Sequence, residues 1–176
     1  MARLLIFCSA NAGIDPSYNE AARKIVRAAC AHGHTIVTGG TVKGTMGVIG
    51  DEVVAVGGQH VGVVPRFMAS IVYPALTRTV WADTMSERQA LMREESDMAL
   101  ALPGGIGTLY ELIETQVLSK LGKYSGKIYV LNIGGFYEPL KALLSHYVAT
   151  GMLDPSDKER IHFVESTEQM MEILAK

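Results

Sequence analysis

Short apolar runs alternate with longer amphipathic ones along the whole chain. The strand-like runs are Leu4–Cys8, Thr35–Val37, Val61–Val64, Thr79–Trp81, Met98–Leu102, Ile128–Leu131 and Ile161–Val164. They are brief, mostly β-branched or aliphatic, and bounded by Gly, Pro, Ser or Asn. Hydrophobicity that continues without alternating predicts strands covered on both faces, as in a parallel sheet. Helical periodicity fills the gaps. The first helix opens at Asp15-Pro16, a cap residue with proline at the first helical position, and ends near His32-Gly33. Further helices are predicted over Thr45–Val56, Met85–Ser96, Thr108–Leu121, Tyr137–Thr150 and Thr167–Leu174. Strands and helices in alternation predict an α/β, Rossmann-like doubly wound fold with a mostly parallel sheet flanked by helices. No repeat or low-complexity linker interrupts the pattern, so residues 1–176 are expected to form a single domain.

Composition changes this picture only by exclusion. Of 176 residues, 48% are apolar and 19% charged, which supports a full core and rules out a disordered chain. Sixteen Lys and Arg against eighteen Asp and Glu give a net charge of -2. With no basic block, no nucleic-acid polymer is expected as a partner. One small anion remains within reach of a few local groups. The 2 cysteines, Cys8 and Cys30, sit in apolar stretches and make no disulfide framework. They and the 5 histidines show no CxxC or HxxxH spacing, so no metal site is expected. Arg3 ahead of Leu4-Leu5-Ile6-Phe7-Cys8 imitates a signal peptide, but the apolar run is too short and reads better as a strand. The run Val53–Pro65 is broken by Gly57, Gly58, Gln59 and His60, so no membrane partner is expected and the protein is placed in the cytoplasm.

In a doubly wound sheet, ligands bind outside the carboxyl ends of the strands, so the strand-to-helix loops carry the chemistry. The first, Ser9-Ala10-Asn11-Ala12-Gly13, lacks the GxGxxG of a dinucleotide site. The second, Gly39-Gly40-Thr41-Val42-Lys43-Gly44-Thr45-Met46-Gly47, has P-loop glycine spacing with Thr45 where the lysine belongs. It is either a flexible connection or a place of close ligand approach. The third is Pro103-Gly104-Gly105-Ile106-Gly107-Thr108-Leu109-Tyr110-Glu111, after an apolar strand and opening an amphipathic helix. Its glycines let backbone N–H groups turn toward one point, where the helix dipole adds positive charge. Thr108 adds a hydroxyl, and Glu111 lies near the bound anion without binding it. The competing reading is structural, because Thr108-x-x-Glu111 is also a capping box. Arg88, in Met85-Ser86-Glu87-Arg88-Gln89-Ala90-Leu91-Met92, shares a helical face with Met85 and Met92. It either snorkels from the core edge, pairs as surface charge, or presents its planar guanidinium to phosphate or a purine edge. Met85 and Met92 are candidates for a base pocket, or plain core.

Met85-Ser86-Glu87-Arg88 followed by Pro103-Gly104-Gly105-Ile106-Gly107-Thr108-Leu109-Tyr110-Glu111 resembles the Lonely Guy (LOG) family of phosphoribohydrolases. The resemblance extends to Phe7-Cys8-Ser9, the Gly39–Gly47 loop and Leu131-Asn132, covering most of the chain. It implies an N-glycosyl hydrolase that takes a small-molecule nucleotide, a nucleoside 5′-monophosphate such as AMP or a cytokinin riboside monophosphate. The products would be free base and ribose 5-phosphate. It further implies a homodimer or higher homo-oligomer and no cofactor. Carried over by motif, Arg88 and Glu111 become the catalytic pair. Ser9, Gly40, Met85, Gly104, Gly105, Gly107, Thr108 and Glu114 become substrate-binding candidates, Glu114 standing one turn beyond Glu111. The chain departs from the family pattern at Gln89, where Lys is usual, and at Thr41, Thr45 and Lys120. Those departures leave open a non-catalytic carrier of a phosphorylated ligand, of the molybdenum-cofactor carrier type. A lysine decarboxylase, a label relatives have carried, would need a lysine bound to pyridoxal phosphate, and no such arrangement is identifiable.

Overall fold

Along β1 (Arg3–Phe7), Leu4 and Ile6 pack into one apolar layer while Leu5 and Phe7 pack into another, and all four are buried. A strand buried on both faces has no need of polar alternation, which is why its sequence is a continuous apolar run. The computed structural model describes all residues, 1–176. The same division recurs in β2 (Thr35–Thr38), β5 (Met98–Ala101) and β6 (Lys127–Leu131): Ile36, Leu100 and Leu131 face the first layer, Val37, Ala99 and Val130 the second. With β3 (Gln59–Pro65), β4 (Arg78–Ala82) and β7 (Ile161–Val164) they form a 7-stranded sheet of order β4-β3-β2-β1-β5-β6-β7. Every pairing is parallel.

Helices cover both faces. On the first lie α1 (Pro16–Ala31), α2 (Gly44–Ala55) and α7 (Thr167–Leu174), contributing Ile25, Val26, Ile49 and Met170 to the core. On the second lie α3 (Met85–Glu94), α4 (Ile106–Lys120) and α5 (Glu138–Ala149), contributing Met92, Leu112 and Leu144. The predicted start of α1 is present: Asp15 accepts from the Ser17 amide at 2.9 Å with Pro16 leading the helix. Three elements escaped the periodicity because they span too few residues to show one. They are the 3-10 turns Arg66–Ile71 and Ile133–Gly135 and the short α6 (Pro155–Lys158). Helix α4 starts at Ile106 rather than Thr108, with Gly105 as an N-cap and no side-chain cap. The capping-box reading of Thr108 and Glu111 is therefore not realised, since both stand inside the helix.

The sheet order fixes the ligand crevice. From β1 the chain winds outward through β2, β3 and β4, then returns to the middle and winds the other way from β5. The direction changes between β1 and β5, and the loops leaving these strands splay apart there. Those loops are Cys8–Gly13 and Leu102–Gly105, held together at their roots by Leu102 donating its amide to the Phe7 carbonyl at 2.9 Å.

Candidate active site

A cavity of about 360 Å³ opens at this switch point, within the range of small-ligand sites. Its floor is the end of β1 with Cys8 and Ser9, and its walls come from α3, α4 and the Gly39–Thr41 stretch after β2. Met46, Met68, Met85 and Met92 supply a polarisable apolar lining. Arg88 and Glu111 are the only charged side chains that line it.

Their positions follow from the helices that carry them. Thr84 caps α3 by accepting from the Glu87 amide at 3.1 Å, which sets Arg88 one turn in, on the sheet side. Arg88 is only 7% exposed and donates from Nε to the Val63 carbonyl of β3 at 3.0 Å. Its Nη1 then reaches Glu111 Oε1 at 3.3 Å. Gln89 donates from Nε2 to the same oxygen, also at 3.3 Å. Burial pushes the Glu111 carboxyl above its ordinary value, outweighing Arg88 and the Gln89 hydrogen bond, which pull it down; Glu114 adds a smaller upward push. The neighbouring Cys8 thiol is pushed up by burial and by Glu111, so it stays protonated at neutral pH.

The glycine loop shapes the opposite wall. Tyr137 donates its hydroxyl to the Leu102 carbonyl at 2.7 Å and anchors the entry to Pro103-Gly104-Gly105. A β-carbon on Gly104 would lie 2.2 Å from Thr108 Oγ1 and within 2.9 Å of Cγ2, so the loop packs directly on the buried Thr108. Gly105 and Gly107 have open space where a side chain would stand, and both line the cavity. The uncapped first turn of α4 thus presents its amides to that space.

Of the residues nominated from the sequence, Ser9, Met85, Arg88, Gly105, Gly107, Thr108 and Glu111 line this one cavity. Gly104 lines a smaller cavity of about 190 Å³ on the other side of Gly105, with Tyr18 and Phe136. Gly40 does not reach the cavity: with φ +67° it packs against the backbone of Gly62, where a β-carbon would come within 2.7 Å. Glu114 is also turned away, held by Arg93 at 2.8 Å. Ser9 serves the loop as well, accepting the Asn11 amide on Oγ at 3.0 Å and the Thr45 amide on its carbonyl at 2.9 Å. Sequence reasoning missed Gln89 as a partner of Glu111, Gly39 as the space for Arg88, and Met68 in an unpredicted turn. Only Gln89 had left a signal, as a neutral residue next to the arginine.

Fold and site define a Rossmann-like protein whose ligand crevice, at the switch point, holds one buried Arg–Glu pair beside a glycine-lined helix start. Residues 46–174 match the family described as "Possible lysine decarboxylase". A cytokinin riboside 5′-monophosphate phosphoribohydrolase of Arabidopsis thaliana is 30% identical over 175 residues, 98% of this chain and 82% of its own. One from Rhodococcoides fascians is 32% identical over 159 residues, 89% of this chain and 80% of its own. The chain belongs to this family, the Lonely Guy (LOG) family. Among solved structures, the molybdenum cofactor carrier protein of Chlamydomonas reinhardtii superposes with a TM-score of 0.73 at 17% identity, over 98% of this chain and 94% of that one. The molybdenum cofactor binding protein of Rippkaea orientalis gives 0.72 at 19%, over 98% and 93%. At that identity the likeness is one of fold.

Proposed function

We propose that this protein hydrolyses the N-glycosidic bond of a nucleoside 5′-monophosphate, AMP or a cytokinin riboside 5′-monophosphate, to free base and ribose 5-phosphate. The observation that carries the reading is the 3.3 Å Arg88–Glu111 pair, the only charges lining the cavity, set beside the open first turn of α4. The amides of Gly105, Gly107 and Thr108 hold the phosphate, with Gly104 fixing their geometry through Thr108. The base lies against Met85 and its neighbouring methionines. Phosphate binding away from the reacting bond orients the nucleotide.

Breaking a ribosyl C–N bond builds positive charge on the sugar, as in glycoside hydrolysis. Glu111, acting as a carboxylate, stabilises that charge and takes the proton of the water whose oxygen bonds to C1′. The base leaves with the electrons of the C–N bond and takes up a proton. Arg88 holds Glu111 in place and faces the nucleotide. None of these steps calls for a cofactor. No lysine lines the cavity, so decarboxylation through lysine-bound pyridoxal phosphate has no amine to begin from.

The reading extends to the assembly. Ile106, Tyr110, Val117 and Leu121 recur on one side of α4, and are 82%, 53%, 48% and 61% exposed. That stripe starts at the cavity mouth and suits a homodimer in which each copy shields the other's site. Residues 1–176 act as one nucleotide-binding unit. No helix is long and apolar enough to cross a membrane, and both cysteines are free, which suits a cytoplasmic enzyme. The test is product analysis: purified protein given AMP or isopentenyladenosine monophosphate releases base and ribose 5-phosphate in equal amounts. A protein that retains a phosphorylated ligand through purification and cleaves neither nucleotide is a carrier.

A further inference from the structure

Arg88 and Gln89 converge on a single oxygen of Glu111. Both bonds, at 3.3 Å, end on Oε1, while Oε2 has no protein partner and is not among the buried unpaired atoms. Since Glu111 lines the cavity, Oε2 is the oxygen left for substrate and water. Gln89 is 2% exposed and is itself part of the cavity wall, so its amide is fixed by packing rather than free to wander.

The geometry points to Gln89 as a positioning residue for Glu111: its amide holds one carboxyl oxygen in both protonation states and keeps the other turned to the substrate. The inference rests on the hydrolase reading, in which Glu111 must gain and lose a proton during turnover. An amide suits that cycle because it donates through Nε2–H to a carboxylate and, rotated, accepts through its carbonyl oxygen from a carboxylic acid. A lysine at this place, the usual family residue, could only donate and would shift the carboxyl toward its ionised form. Arg88 already supplies one positive charge, from α3. The other titratable groups close enough to act on Glu111 are Cys8, just after β1 and kept neutral by burial, and Glu114 on the same helix, itself tied to Arg93. Gln89 thus steadies the carboxyl without adding a second positive charge beside it.

The test reads Glu111 directly and needs no turnover. Protein labelled with carboxyl-¹³C glutamate is titrated by NMR, the Glu111 signal being the one lost in Glu111→Gln. In Gln89→Met, close in shape but without a donor, the midpoint moves up. In Gln89→Lys it moves down by about one to three pH units. The acid limb of kcat for AMP hydrolysis follows each midpoint, and kcat in Gln89→Met falls about tenfold while KM stays within about twofold. A Glu111 midpoint that is the same in wild type and Gln89→Met overturns the inference, as does a loss of kcat with no shift of the limb. Should Gln89→Met fail to fold, Gln89→Leu, which also lacks the donor, takes its place in both readouts. If no variant cleaves AMP, the hydrolase reading fails while the titration still judges the contact.

Discussion

The guanidinium of Arg88 occupies the space that a side chain on Gly39 would fill. A β-carbon at Gly39 would lie 2.0 Å from Nη2, 3.3 Å from Cζ and 3.0 Å from the Met46 sulfur. Gly39 follows β2 directly, and Arg88 reaches it across the end of β3, where the Val63 carbonyl fixes Nε. The glycine loop after β2 therefore contributes an absence: the room in which the cation that faces Glu111 is held.

Gly39→Ala is expected to expel the guanidinium or strain the loop. Overpacking of this kind costs about 1–3 kcal/mol, and the displaced arginine lowers kcat/KM for AMP at least about tenfold. Gly13→Ala, at a position with open space around it, is the matched control and leaves both unchanged. Thermal denaturation and initial rates measured together separate the two effects. Equal activity in both variants would remove Gly39 from the account.

Gly104 and Gly105 are adjacent but should fail differently. In Gly104→Ala the new methyl meets Oγ1, Cβ and Cγ2 of Thr108 at 2.2, 2.7 and 2.9 Å, so no rotamer of the threonine clears it. That variant loses about 1–3 kcal/mol of stability. Gly105→Ala has nothing within 4 Å and folds like the wild type, but its methyl intrudes where the phosphate sits. Its KM for AMP rises while its unfolding midpoint holds. Urea titrations beside Michaelis curves check both halves.

A pH effect on folding arises at His60, near the start of β3, outside the cavity lining. His60 is 1% exposed; its Nε2 shares a 2.8 Å hydrogen bond with Thr38 Oγ1, and Nδ1 has no partner. Burial lowers its pKa from 6.5 to about 4. Because the unfolded chain binds the proton more readily, stability is full above pH 6.5 and declines as the pH drops toward 4. The His60 share of that loss reaches up to about 3 kcal/mol. In His60→Leu the unfolding free energy should fall less over this window. The same slope as wild type would contradict it.

The sequence made the sheet legible because both-face burial turns each central strand into an unbroken apolar run, as in Leu4–Phe7. It made the anion loop legible because Pro103-Gly104-Gly105 follows such a run and opens a helix. What it hid were contacts set by tertiary approach. Nothing local to Gly39 says that Arg88, 49 positions on by its number, will press against its Cα. Glu114 shares a turn spacing with Glu111, yet Arg93 draws it off, a choice fixed only when α3 packs on α4. Gly40 reads as part of a ligand loop and proves to be a backbone contact with Gly62. The short turn carrying Met68 spans too little chain to show a period.

The central claim is that Glu111 does chemistry on a nucleotide whose 5′-phosphate is gripped at the start of α4. The most direct measurement compares kcat/KM for AMP and for adenosine in the wild type and in Glu111→Gln, with AMP binding followed by calorimetry. The expected result is that the wild type strongly prefers AMP, and that Glu111→Gln binds AMP about as well while kcat falls about 10²–10³-fold. A wild type indifferent to the phosphate, or a Glu111→Gln variant that turns over AMP at the wild-type rate, would contradict it.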